Sequence, residues 1–258
     1  MNVKNSQTLK AVGVIPARLG STRLEEKVLR EIDGRPMVQR VWERASQAKG
    51  LAEVIVATDD ARVEACVKAF GGKAVLTRRD HPNGTSRVAE IAEKSQADIF
   101  VNIQGDEPLI HPEAIQRLVA VFQEHPEVQV ATLGVRLQSR EDYENPNVVK
   151  LVTDAVGNAL YFSRAPMPHF RKGTDVPFSF VKHLGIYAYR RDFLLRFVRW
   201  PSSTLEETEK LEQLRILENG HKIFVCETQY DSLSVDTKED LEMVEAVIRN
   251  QSKKAGVL

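Results

Sequence analysis

An α/β fold, with a mostly parallel central sheet covered by helices on both faces, is what this sequence of 258 residues predicts. Three observations carry the prediction. Short apolar runs recur along the first half, of the kind that form strands buried on both faces. Segments with apolar residues at helical spacing lie between them. The two kinds alternate regularly, which is the signature of strands joined by helical crossovers.

The first run, residues 12–16, reads as a buried strand. Residues 36–49 follow as a helix with Met37, Val38, Val41, Trp42 and Ala45 on one face, and Pro36 suits its first turn. Residues 53–58 form a second strand, 61–70 a helix ended by Gly71-Gly72, and 73–77 a third strand. A helix over 87–94 leads to a fourth strand at 99–103. A helix over 112–123, with Ile115, Leu118, Val119 and Phe122 on one face, leads to a fifth at 128–135. In such sheets ligands bind beyond the carboxyl ends of the strands, at the switch in strand order. The segments after the first, third and fourth strands are therefore the first places to look for chemistry.

The second half is less regular. Residues 148–162 read as a hairpin turning at 154–158, and 166–177 as a polar loop. A strand is expected at 183–189, helices at 191–198 and 205–218, the latter closed by Asn219-Gly220, and a strand at 222–227. Asp236 reads as the N-cap of a last helix through residue 248, with Glu239 completing a capping-box-like pattern. Residues 252–258 are expected to fray.

The bulk numbers exclude some classes. Lys and Arg total 36 and Asp and Glu total 36, so no cationic surplus argues for nucleic acid. Cys66 and Cys226 lack CxxC spacing and read as buried reduced thiols rather than as a disulfide or a zinc site. Residues 1–10 are polar, unlike a secretory signal, and no apolar run reaches the ~20 residues of a membrane span. A cytoplasmic protein is expected.

The chemistry-bearing residues cluster at the expected places. After the first strand, Gly20, Ser21 and Thr22 let backbone amides approach an anion, and Arg18, Arg23 and Lys27 add positive charge. That combination suits a triphosphate, although no GxxxxGK[ST] loop is present. After the fourth strand, Gln104-Gly105-Asp106-Glu107-Pro108 places a carboxylate at the end of a buried strand, where Mg²⁺ held with substrate phosphates is the usual partner and a helix-capping Asp the plainer one. Asp236, in Ser234-Val235-Asp236-Thr237, is read alone as a helix cap. Asn83-Gly84-Thr85-Ser86-Arg87 is a turn opening a helix, and Arg164, His183, Glu212 and Gln213 are scattered polar candidates.

Taken in order, these segments resemble the 3-deoxy-manno-octulosonate (Kdo) cytidylyltransferases from about residue 11 to residue 248. The matching stretches are Ile15-Pro16-Ala17-Arg18 with Ser21, Arg23 and Lys27; Asn102 through Pro108; Ala159 through Ala165; His183-Leu184-Gly185-Ile186-Tyr187; Leu211-Glu212-Gln213-Leu214-Arg215; and Val235-Asp236-Thr237. The resemblance implies a Rossmann-like nucleotidyltransferase fold in a single domain, 1–258. Its nucleotide-binding half would span about 11–137 and its β-rich sugar-binding and dimerisation half about 138–248. It implies a homodimer that takes CTP and an acidic eight-carbon sugar, uses Mg²⁺, and makes CMP-Kdo and pyrophosphate for lipopolysaccharide synthesis. On the same ground Arg18, Ser21, Arg23, Lys27, Arg87 and Gln104 serve the nucleotide, with Arg18 and Lys27 on the triphosphate. Asp106 and Asp236 hold the metal, and Arg164, His183, Tyr187, Glu212 and Gln213 line the sugar-acid pocket.

Two departures stand out. The family's Pro-Gly is Glu25-Glu26 here, so two carboxylates beside the triphosphate are expected to weaken CTP binding. The family's Ser-Gly-Thr-Glu-Arg is Asn83-Gly84-Thr85-Ser86-Arg87. Other readings are a cytidylyltransferase for an 8-amino Kdo or a sialic acid, a metal-dependent glycosyltransferase, or a non-catalytic nucleotide-binding protein.

Overall fold

Residues 9–20, 24–173 and 175–254 are described in the computed structural model, the side chains of 252–254 excepted. The expected fraying of 252–258 therefore lies largely outside them. The first half runs β1 (Ala11–Pro16), β2 (Glu31–Ile32), β3 (Arg35–Pro36), α1 (Met37–Ser46), β4 (Leu51–Thr58), α2 (Ala61–Ala69) and β5 (Lys73–Leu76). It continues through α3 (Gly84–Glu93), β6 (Ile99–Asn102), α4 (Pro112–Glu124) and β7 (Val130–Leu137). The second half adds α5 (Arg140–Glu144), β8 (Lys150–Thr153), β9 (Ala159–Ser163), β10 (Phe180–Arg190), α6 (Arg191–Phe197), α7 (Thr204–Glu209), α8 (Leu214–Glu218), β11 (Phe224–Thr228) and α9 (Lys238–Lys254).

The main sheet is ordered β5-β4-β1-β6-β10-β7-β11, with β8 paired to β10 and β9 to β8. β1 pairs in parallel with β4 and β6, β4 with β5, and β7 with β11. The expected α/β class holds, with one addition that periodicity could not supply. β10 enters antiparallel between β6 and β7, so the fourth and fifth expected strands are not neighbours.

Alternation along the strands divides the core. Val12 and Val14 face α3, α6 and α8 with Val88, Ala92, Phe193, Phe197 and Leu214, while Ala11 and Ile15 join Val38, Val41, Val63, Ile115 and Phe122 from α1, α2 and α4. Both faces are dry, which is why these strands read as continuous apolar runs. A third, smaller cluster seats α9: Val244 and Ile248 pack on Ile32, Met37 and Val235. Each such buried side chain contributes roughly 1.5–3 kcal/mol, enough to fix where the start of α9 lies.

Several local expectations shift. Helix α1 starts at Met37, with Pro36 closing a β2–β3 hairpin whose turn is Asp33 (φ 49°) and Gly34 (φ 71°). An Asp-Gly pair with both φ positive is the favoured two-residue hairpin turn, a signal present in the sequence. The helix expected over 205–218 is two short helices, α7 and α8, broken where Lys210 turns left-handed at φ 53°. The expected hairpin is present as β8 and β9, with Asp154 Oδ1 accepting from the Val156 and Asn158 amides.

Candidate active site

The loops after β1, β5 and β6 open on one cleft of about 360 Å³, joined by the residues that precede α9. Pro16, Arg18, Lys27 and Val28 come from the first loop, His81 to Gly84 and Arg87 from the second, Gln104 to Asp106 from the third, and Asp236 from the last. These are the three strand ends that the switch-point rule singles out. Gly105 is required by a close approach, since a Cβ there would stand 2.9 Å from the Pro16 carbonyl oxygen.

Asp106 and Asp236 converge on the Lys27 ammonium, which lies 2.6 Å from Asp106 Oδ2 and 3.0 Å from Asp236 Oδ1. The backbone locks the pairing, because the Val235 amide donates to the Asp106 carbonyl at 2.9 Å. Burial would pull the Lys27 ammonium down, but the two carboxylates outweigh it and raise it above its ordinary value. The helix cap expected at Asp236 lies one residue on. Thr237 Oγ1 accepts from the Asp240 amide, and Asp240 Oδ2 accepts from the amides of Asp236 and Thr237. This reciprocal cap uses Asp240 rather than Glu239 and leaves the Asp236 carboxylate to face Lys27.

The other expected nucleotide residues differ in how they are held. Arg18 is exposed at the cleft. Arg87 is buried, its Nη2 2.9 Å from Asp59 Oδ2 and its Nη1 bonded to Thr77 and the Arg78 carbonyl. Its charge is thus matched within the protein, and it braces the ends of β4 and β5. Gln104 Nε2 donates to the Gly185 carbonyl at 2.8 Å, tying the cleft to a register shift in β10. Ser21 and Arg23 lie outside the described residues.

Glu25 and Glu26 do not face the cleft as expected. Glu26 sits at φ 52° and its Oε1 is 2.6 Å from Arg62 Nη1 on α2. A non-glycine residue there is mildly strained, and an exposed ion pair screened by water offsets little of that. The Glu26→Gly variant should therefore change unfolding free energy by less than about 1 kcal/mol and CTP affinity by less than about threefold. Urea unfolding and calorimetric CTP titration would check both; a tenfold gain in affinity would restore the repulsion argument.

The sugar-acid candidates form two groups. His183 and Tyr187 lie together on β10, ring centroids 5.4 Å apart. Burial pushes the His183 imidazole down to about 3, so it is neutral at physiological pH. The Thr132 hydroxyl, 2.8 Å from the Ile186 carbonyl, spends its hydrogen there and accepts from His183 Nε2 at 3.1 Å. Nδ1 is then an acceptor suited to a hydroxyl, not a cation for a carboxylate. Glu212, at the break between α7 and α8, accepts from Asn83 Nδ2 (2.7 Å), Thr85 Oγ1 (2.6 Å) and Arg215 Nη2 (2.9 Å). Burial raises its carboxyl above the ordinary value despite these donors. Near it, Gln213 Nε2 and Asn102 Oδ1 are buried with no hydrogen-bond partner among the described residues.

Arg164 is held by backbone carbonyls rather than by a member of either group. Its Nε donates to the Glu209 carbonyl (2.8 Å) and its Nη1 to the Pro146 carbonyl (3.1 Å), while Glu209 Oε1 and Oε2 hold Ser163 Oγ and the Arg164 amide. The Lys150 ammonium, fully buried, donates to the carbonyls of Asn145, Val148 and Arg164.

Sequence reading passed over Asp59, Lys150, Glu209 and His81. His81 carried a usable signal, since it precedes Pro82 just after a strand end already marked for chemistry. Burial alone would raise the carboxyl of its partner Glu90, but the Arg78 amide, His81 and Lys94 hold it at about 2. That lies below the ordinary 4.5, so the stabilisation is complete above about pH 4.5 and disappears as pH falls through about 2. Glu90→Gln should cost about 1–3 kcal/mol at pH 7, with the gap from the parent narrowing in urea unfolding at pH 3.

Residues 12–223 match the family model described as cytidylyltransferase. A 3-deoxy-manno-octulosonate cytidylyltransferase of Geotalea uraniireducens (strain Rf4) is 51% identical over 245 residues, covering 92% of this chain and 98% of that protein. The protein of that name in Geobacter sulfurreducens is 50% identical over 245 residues, covering 92% and 98%. The solved structure of a CMP:2-keto-3-deoxy-manno-octonic acid synthetase complexed with CTP superposes with a TM-score of 0.89 at 46% identity, covering 94% of this chain and 99% of that one. A cytidylyltransferase from Leptospira borgpetersenii, 19% identical with a TM-score of 0.63, shares the fold. The strand-end cleft and the ordered motifs around it agree with these likenesses, and the chain belongs to the 3-deoxy-manno-octulosonate cytidylyltransferase family.

Proposed function

We propose that the protein transfers CMP from CTP to the anomeric hydroxyl of 3-deoxy-manno-octulosonate, giving CMP-Kdo and pyrophosphate. The observation that carries this reading is the convergence of Asp106 and Asp236 on one cationic point, at 2.6 and 3.0 Å, inside the cleft lined by Arg18 and Gln104. Two carboxylates are the usual protein share of a Mg²⁺ whose other oxygens come from phosphates and water. Asp106 and Asp236 would hold Mg²⁺, which when bound neutralises phosphate charge and favours ionisation of a nearby hydroxyl.

The chain's own groups do the positioning. Arg18 and Lys27 take the triphosphate, Lys27 exchanging carboxylate oxygens for phosphate oxygens. Gln104 and the turn at Asn83-Gly84 flank the nucleoside. Glu212, neutral His183, Tyr187 and Gln213 receive the sugar's hydroxyls, and Arg164 its carboxylate. The sugar hydroxyl oxygen then bonds to the α-phosphorus, the bond from that phosphorus to the pyrophosphate oxygen breaks, and the hydroxyl proton is released. Catalysis is orientation plus charge stabilisation, with no covalent enzyme intermediate.

Val156 and Leu160 in the β8–β9 hairpin are 69% and 60% exposed, apolar side chains of the kind that a second subunit would cover. A homodimer is the reading, which light scattering on the eluted protein tests. No helix among the described residues is long and apolar enough to cross a membrane. A CTP-consuming enzyme of this kind belongs in the cytoplasm. The activity itself is tested by pyrophosphate release with CTP, Mg²⁺ and a panel of acids: Kdo, its 8-amino form and a sialic acid. Release with Kdo above the others is expected; release with none, or only with sialic acid, would overturn the assignment.

A further inference from the structure

Between β5 and α3 the chain makes a turn, Pro82-Asn83-Gly84, that forms one wall of the cleft. His81 lies at its base with a side chain only 3% exposed. The ring nitrogens are both engaged: Nε2 lies 2.7 Å from Glu90 Oε2 and Nδ1 3.1 Å from Ser86 Oγ. Glu90 also accepts from the Arg78 amide (3.0 Å) and from Lys94 Nζ (3.0 Å). An acceptor-only carboxylate fed by such donors takes the Nε2 proton in a charge-assisted bond. The ring thus bolts the middle of α3 and its first turn to the segment that leads into the cleft.

What the ring holds is a wall with little freedom. Asn83 Oδ1 caps α3 by accepting from the Ser86 amide at 2.9 Å, while its Nδ2 reaches Glu212 at 2.7 Å. The Ser86 hydroxyl lies 2.9 Å from the Asn83 carbonyl oxygen. On the other side Gly84 abuts the first loop, where an added Cβ would meet Pro16 Cγ at 3.1 Å. A proline after His81 further confines that residue to extended backbone.

We propose that His81 is a positioning residue for the nucleotide, holding the Pro82–Gly84 wall in its binding geometry before CTP arrives. The proposal rests on reading this cleft as the CTP site. With both nitrogens occupied inside the protein, the ring acts by fixing Asn83 and Gly84 rather than by donating to the ligand. Preorganisation of this sort is expressed in affinity, because the unsupported turn must be ordered at the moment of binding.

Three variants divide the ring's two bonds. His81→Gln keeps a donor near the Nε2 position for Glu90, His81→Asn keeps a hydrogen-bonding amide near the Nδ1 position for Ser86, and His81→Ala keeps neither. CTP dissociation constants come from calorimetry, and kcat with both KM values from pyrophosphate release. His81→Ala should raise Kd and KM for CTP about tenfold, with kcat at saturating CTP and KM for the sugar within about threefold. His81→Gln should recover more CTP affinity than His81→Asn, because the bond to Glu90 is the charge-assisted one. Should the alanine variant fail to fold, the glutamine–asparagine order decides. CTP affinity unchanged in the alanine variant would overturn the proposal. So would kcat and both KM values worsening together, or glutamine doing no better than asparagine. Wild-type protein that bound no CTP would refute the nucleotide assignment itself, whereas wild-type binding with an indifferent alanine variant would refute only the role of His81.

Discussion

Asparagine in place of Asp106 or Asp236 should lower turnover by at least about 10²-fold, a loss of roughly 3 kcal/mol or more in transition-state stabilisation. The amide keeps the shape of the side chain and removes a hard anionic oxygen. The geometry makes the two changes comparable, since both carboxylates reach the same ammonium at 2.6 and 3.0 Å. It also separates them from a folding defect. The cap of α9 belongs to Thr237 and Asp240, so Asp236→Asn leaves the helix start intact. Turnover at a series of Mg²⁺ concentrations, with thermal unfolding as control, is the measurement. Higher Mg²⁺ should recover part of the loss. Near-normal turnover of both variants at low Mg²⁺ would remove these residues from the metal site.

Arg164→Ala should raise KM for the sugar acid by about 30-fold or more, while CTP affinity stays within about threefold, because truncating an arginine that pairs with a carboxylate costs about 2–5 kcal/mol. The neutral state of His183 sharpens this expectation, since it leaves Arg164 as the cation among the sugar candidates. Arg164→Lys should fall between the two, keeping charge but losing the planar fork. The anchoring of Arg164 to the Glu209 and Pro146 carbonyls makes CTP affinity an informative control. Both contacts lie in the second half, away from the cleft-lining residues, so a merely structural loss would appear in thermal unfolding first. If CTP affinity falls as far as sugar use, Arg164 serves the phosphates or the fold instead.

The strands β1, β4, β5, β6 and β7 and the helices between them were legible because each side chain there is decided by its nearest layer. Val12 and Val14 go one way and Ala11 and Ile15 the other, and nothing distant is needed to see it. The placement of β10 was not legible, because its pairing with residues 99–102 and 130–137 is a long-range choice that leaves no local period. Nor was the break at Lys210, because no glycine or proline marks it. Within the site, Arg18, Lys27, Arg87, Gln104, Asp106 and Asp236 were named from motif order and do meet in one cleft. What the motifs could not convey is commitment. The Arg87 guanidinium is already matched by Asp59, and Glu26 is turned onto Arg62 by a backbone conformation that composition does not reveal.

The insertion of β10 also sets an order of assembly. A chain emerging from the ribosome presents residues 99–102 and 130–137 long before residues 180–190, so β6 and β7 wait as open edges until their shared partner arrives. Such distant pairings slow folding. Asp236 arrives later still, seated when Val244 and Ile248 of α9 close on Ile32 and Met37. The carboxylate pair therefore forms only when nearly all of these residues have been synthesised. A nascent chain can shape the nucleotide wall early, yet it lacks the second anion until its last helix docks, so chemical competence is a late checkpoint on completed folding.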